Sequence, residues 1–150
     1  MDNQYFSIDV SCRDNPPCIY KGKDMKVDIK TTNISSKNVG FPLEYIKKRG
    51  PAVRLTDNIT RANRPLRINL APYDLLKSFT TIRPGESLSF DTTISSSEIV
   101  SFREKFVDLG VEIVPAVKIQ VGEDPKVISF DTVAKLRIVG KDTLERENNR

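Results

Sequence analysis

The chain has 150 residues, of which 38% are hydrophobic and 29% charged, and its formal net charge is +4. That is enough sequence for one domain with its own core, and the composition excludes a disordered chain. Histidine and tryptophan are both absent, which excludes Ser-His-Asp and Cys-His catalysis, histidine acid–base chemistry and every His-ligated metal site.

Taken in chain order, the dominant hydrophobic period is two, the signature of strands with one face on a core and one in water. Phe6, Ile8 and Val10 open the pattern. Met25, Val27, Ile29 and Thr31 continue it, followed by Phe41, Leu43 and Tyr45 and then Leu66, Ile68 and Leu70. Leu88, Phe90, Thr92 and Ile94 form a fifth run. Val111 to Val121 reads as one central strand, with a bulge or an edge at Pro115. Ile128, Phe130, Thr132, Ala134, Leu136 and Ile138 share one face near the end. Turn chemistry separates the runs at Lys21 to Asp24, Asn33 to Asn38, Arg83 to Glu86 and Gly122 to Pro125.

One helix is predicted, from about Ser96 to Val107. Ser95-Ser96-Ser97-Glu98 reads as a capping box, Ile99, Phe102 and Phe106 fall on one face, and Gly110 follows. The expected fold is mainly β: an immunoglobulin-like antiparallel β-sandwich with one short helix crossing between late strands. Residues 1–140 form that domain and 141–150 a polar tail expected to fray. The expected core comprises Ile8, Val27, Ile29, Leu43, Leu88, Phe90, Phe102, Phe106, Ile113, Val117, Ile119, Phe130 and Leu136.

The two cysteines, Cys12 and Cys18, flank Asn15-Pro16-Pro17. A turn there brings the thiols together, so a disulfide closing a small loop is expected, and with it an oxidising compartment, periplasmic or secreted. The alternative is a pair of buried free thiols in a cytoplasmic protein. The opening Met1-Asp2-Asn3-Gln4-Tyr5 carries no hydrophobic leader. The longest apolar run, Ile113 to Val117, is far short of the ~20 residues of a transmembrane helix.

Charge is unevenly placed. Between residues 46 and 67 stand Lys47, Lys48, Arg49, Arg54, Arg61, Arg64 and Arg67 against one acid, Asp57, so this stretch carries +6 and the rest of the chain −2. Such a field attracts an anionic partner, whether nucleic acid, phospholipid or lipopolysaccharide; the plainer reading is a solvated face. If Val53-Arg54-Leu55 and Leu66-Arg67-Ile68 are neighbouring strands, Arg54 and Arg67 share a solvent face and the seven cations form one patch.

The run Asn33-Ile34-Ser35-Ser36-Lys37 after one strand, with Ile82-Arg83-Pro84-Gly85-Glu86-Ser87-Leu88 entering a later one, resembles Ig-like domains of secreted and envelope bacterial proteins, including intracellular-proteinase-inhibitor-type domains. The resemblance covers roughly residues 25–138. It implies the sandwich fold and, as a further reading, protease-inhibitor-like behaviour.

No Gly-x-Ser-x-Gly, Ser-x-x-Lys, phosphate-binding glycine loop or calcium loop occurs. Asp9, Asp28, Asp91 and Asp131 lie on polar strand faces, where a carboxylate-based hydrolase would have to draw two of them into a cleft. No catalytic residue, metal ligand or cofactor is therefore assigned. The expected function is non-enzymatic: an extracytoplasmic protein-interaction module using loops or a sheet edge around residues 46–82, with another protein as partner. Anion binding through residues 46–67 is the alternative.

Overall fold

A computed structural model of the chain describes residues 5–13, 18–123 and 126–149. The turn residues Asn15-Pro16-Pro17 and the Asp124-Pro125 part of a later turn lie outside the described residues. Twelve strands form three sheets among the described residues, and the chain is mainly β.

The first sheet contains β1 (Phe6–Cys12), β3 (Met25–Asn33) and β8 (Ser87–Ile94), antiparallel in the order β1-β3-β8. Its period-two pattern works as the sequence predicts. Val27, Ile29, Phe90 and Ile94 are buried on one face, while Ile8, Val10 and Leu88 pack against the same core half-buried. The second sheet runs β11-β10-β4-β7, from β11 (Val127–Phe130), β10 (Val117–Val121), β4 (Val39–Phe41) and β7 (Thr80–Ile82). The third runs β2-β12-β9-β5-β6, from β2 (Cys18–Tyr20), β12 (Ala134–Gly140), β9 (Asp108–Val114), β5 (Ala52–Asp57) and β6 (Asn63–Pro65). Its β2–β12 pairing is parallel.

All three sheets contribute to one buried cluster. At its centre Phe41 meets Phe6 edge-on at 5.7 Å, Phe130 at 6.1 Å and Phe90 in a stack at 6.1 Å. Offset and edge-on contacts of this kind add to the apolar area each ring buries.

The structure corrects several expectations. Among the described residues three α-helices are present rather than one. Leu43 and Tyr45 belong to α1 (Leu43–Arg49), not to a strand. Leu43 and Ile46 are its buried pair, three residues apart on one face, and Gly50 in the left-handed region, φ +85°, ends it. The helix predicted to reach Val107 stops at Val100, as α2 (Ser96–Val100). The serine half of the capping box is as read, with the Ser95 side chain accepting from the Glu98 N–H, while the Glu98 carboxylate accepts from Arg64. The Ser101 hydroxyl then donates to the Glu98 carbonyl, and Phe106 sits at φ +55°, so the helix cannot continue. Phe102 and Phe106 are consequently half-buried rather than core.

The single strand expected over residues 111–121 is two strands of different sheets. Pro115 and Ala116, the latter at φ +53°, divide β9 from β10. Likewise β11 and β12 divide the run from Ile128 to Ile138 between two sheets. Leu66 to Leu70 is not a strand; pairing with β5 ends at Pro65. The tail expected to fray forms α3 (Lys141–Asn148). It is docked by the Asp142 carboxylate, which accepts from the Phe106 N–H, by the Thr143 hydroxyl donating to the Val107 carbonyl, and by Arg146 over the Phe106 ring. No helix among the described residues is long and apolar enough to cross a membrane.

Candidate interaction surface

Cys12 and Cys18 stand at disulfide distance, Cα atoms 5.4 Å apart, both buried. They join the exit of β1 in the first sheet to the start of β2 in the third.

The seven cations of residues 46–67 do not form one surface. Lys47 and Lys48 are exposed on the last turn of α1. Arg49 is turned inward as a clasp. Its guanidinium donates to the carbonyls of Gly50, Pro115 and Ala116 and lies 5.0 Å from the centre of the Tyr45 ring. Arg54 is exposed, donates to the Asn63 side chain at 2.7 Å and stands in register with Glu112 on β9. Arg64 pairs with Leu55, one residue out of phase with Arg54, so it projects to the opposite face of the sheet. There it lies 4.3 Å from the centre of the Phe102 ring and donates to Glu98. Arg61 and Arg67 are exposed, and Arg67 is not on a strand. The pleat that was expected to align Arg54 with Arg67 therefore ends before Arg67 is reached.

A different surface is built by the chain leaving β6. The Leu66 N–H donates to the Val53 carbonyl and the Asn69 N–H to that of Arg49, which pin the segment along the third sheet. Pro72 then initiates a 3-10 turn at Tyr73–Lys77, closed where the Ser78 N–H donates to the Leu75 carbonyl. Phe79 follows and lies on the outer face of the second sheet, over Gly40. A Cβ at position 40 would come within 2.9 Å of the Phe79 Cβ, so only glycine there admits the ring at this height.

Phe79, Leu76 and Tyr73 thereby form one wall of an open trough of about 840 Å³. Its floor is the outer face of β10 and β11, where Lys118 is paired with Ser129 and Val127 lies two residues along. Lys77 stands on the wall and Asp131 also lines the trough. Neither Lys77 nor Lys118 is in an ion pair among the described residues. The segment leading into the wall is unusually apolar for an exposed one: Ile68 is 53% exposed, Leu70 100% and Tyr73 72%. Sequence reasoning placed residues 46–82 in the interaction region, which takes in Tyr73, Leu76, Lys77 and Phe79, but missed Lys118, Val127 and Ser129. The apolar side chains in a proline-stiffened stretch were the available signal.

Electrostatic tuning lies elsewhere, in structural ion pairs. The Arg137 guanidinium holds the Asp108 carboxyl below its ordinary range against the opposing effect of burial, and the Asn58 amide assists. Asp28 is lowered chiefly by its hydrogen bonds from Arg13. No group of three or more His, Cys, Asp and Glu side chains is placed to hold a metal ion among the described residues.

No protein-family profile and no curated protein matches the chain. Among solved structures, the chain is similar to a structural-genomics target, SoR45, at 8% identity and a TM-score of 0.46, covering 88% of this chain and 86% of that one. A Bordetella pertussis protein described as ApaA is similar at 10% identity and a TM-score of 0.46, covering 91% and 94%. A β-glucosidase from Listeria innocua matches at 15% identity and a TM-score of 0.39 over 89% of this chain but 16% of its own.

Proposed function

We propose that the chain is a non-enzymatic protein-interaction module of Ig-like sandwich type that works outside the cytosol. The observation that carries this reading is the apolar segment 66–79, whose Leu70 is fully exposed and whose Tyr73 rims the trough. Contiguous exposed apolar surface beside a concave site marks contact with a partner more often than chance decoration. The buried Cys12–Cys18 pair at disulfide distance supports the oxidising compartment. The sheets packed over a shared phenylalanine core support the sandwich.

Anion binding by residues 46–67 is the weaker reading, because Arg49 and Arg64 are engaged in internal contacts. Capture from an extract of the native source, at low and at high salt, separates the two. A protein retained at high salt by the parent chain, and lost with Leu70→Ser/Tyr73→Ser, supports the module. Recovery of nucleic acid or phospholipid alone, at low salt only and indifferent to that double variant, overturns it.

A further inference from the structure

The trough lies on the face of a sheet whose last strand is β11, paired only with β10 among the described residues. One side of β11 therefore presents unpaired backbone N–H and C=O groups. Of the other edge strands, β1, β8 and β6 carry residues that discourage pairing, Asp9, Asp91 and Pro65, while β2 and β7 carry none but are only three residues long. Strand β11, Val-Ile-Ser-Phe, has neither charge nor proline, and Val127 and Ile128 are 42% and 39% exposed.

Resting on the module reading above, we infer that β11 accepts an extended segment of a partner protein as an added strand, with alternate side chains of that segment on the trough face of the sheet, beside Val127 and Ser129 and across the floor from Tyr73 and Leu76. An added strand lies about 4.8 Å beyond β11, and every second side chain falls on the face of Val127 and Ser129. Those positions face the wall of Tyr73, Leu76 and Phe79 across the floor strands β11 and β10, and want apolar residues long enough to reach into the trough. Lys77 and Lys118, both outside any ion pair among the described residues, stand against a single lining carboxylate, Asp131. The charge balance selects a segment carrying an acidic residue. Main-chain pairing supplies affinity that is indifferent to sequence, and the trough supplies the selection.

A displayed library of random octapeptides, panned against the whole chain, tests this directly. The expected outcome is enrichment of sequences with apolar residues at alternate positions and at least one Asp or Glu. Nuclear magnetic resonance shifts on adding the best synthetic peptide should be confined to residues 127–131, 118 and 73–79. Affinity should fall at least tenfold for Tyr73→Ser/Leu76→Ser, and Lys118→Glu should turn the preference towards Lys or Arg. The far-ultraviolet spectrum and melting temperature of each variant report that it has folded. No enrichment, enrichment of proline-rich or non-alternating sequences, or shifts elsewhere on the surface overturn strand addition. So does concentration-dependent dimerisation of the parent that Tyr73→Ser/Leu76→Ser abolishes, since the occupant would then be a second copy of this chain. A salt-resistant protein captured through Leu70 and Tyr73, together with a failed panning experiment, would leave the module reading standing and remove only this one.

Discussion

Asp28 on β3 and Asp91 on β8 stand directly opposite each other in the ladder, and the guanidinium of Arg13 bridges the two, 2.8 Å from the Asp91 carboxylate. Like charges in directly opposed positions disfavour strand pairing. Arg13, just beyond the end of β1, turns that repulsion into a three-charge network across the polar face of the first sheet.

Replacing Arg13 with alanine should therefore let the Asp28 carboxyl rise back towards the ordinary aspartate value, since hydrogen bonds from Arg13 are the main cause of its depression. All three side chains are well exposed, so the loss of stability should be small. It should also shrink in 1 M salt, where the screening length falls to about 3 Å. Carbon-13 titration of Asp28 in parent and variant, alongside melts at low and high salt, reads both effects. An unchanged Asp28 titration would sink the assignment.

Acid should destabilise the protein through Asp57. Burial pushes this carboxyl up, but the Ile59 N–H, the Arg103 guanidinium and the Thr60 N–H together outweigh it and hold it low. A carboxyl depressed in the folded state contributes stability that is fully present above its unfolded value, about 4, and is lost as pH falls through the folded one. Asp28 and Asp108 shift in the same direction. Urea midpoints should thus agree at pH 7 and pH 5 and drop at pH 3. Asp57→Ala should cost about 1 kcal/mol at pH 7, because it takes the acceptor from part-buried donors, and should flatten the acid loss.

Gly40→Ala should force Phe79 off the second sheet, since the added methyl meets the Phe79 Cβ at 2.9 Å. Overpacking of this sort costs about 1–3 kcal/mol. Phe79→Ala in the same chain should recover part of that loss, giving a coupling energy in a double-mutant cycle. Two additive effects would show that the ring does not rest on Gly40.

The Cys12–Cys18 bond closes a loop with a sequence separation of 6. Loop-closure entropy for so short a span gives about 2 kcal/mol, so the reduced protein should fold but melt earlier. Intact mass after alkylation of the unreduced native protein should show no label. Two labels would return the pair to free thiols and remove the support for an oxidising compartment.

The strands legible in the sequence were those whose two faces meet different surroundings over many residues. Met25 to Asn33 alternates without a break, and its burial follows. Phe41, Leu43 and Tyr45 offered only a short alternation, while the Leu43–Ile46 spacing that makes α1 was equally present. Pro115 was visible as an interruption, but nothing local says that the chain there changes sheet; that is fixed by Arg49, 66 residues away, gripping the Pro115 carbonyl. The cationic cluster failed for the same reason, because pleat parity puts Arg64 on the opposite face from Arg54. Of the trough only the wall was legible, as apolar residues within the 46–82 region, and the floor was not. Its floor and wall are adjacent only through the order β11-β10-β4-β7, which joins residues far apart in sequence.

The parallel pairing of β2 with β12 bears on how the chain is made. Ile138 is in register with Cys18, and Gly140 with Tyr20. During synthesis at ~5–20 residues per second, β2 and its cysteine wait for nearly the whole chain before their sheet partner exists. Until β12 is available, β2 lacks the one sheet partner it has among the described residues. Pairings of such long range are slow to form. The link between Cys12 and Cys18, once formed, holds β2 beside the end of β1, near the place where the last strand arrives.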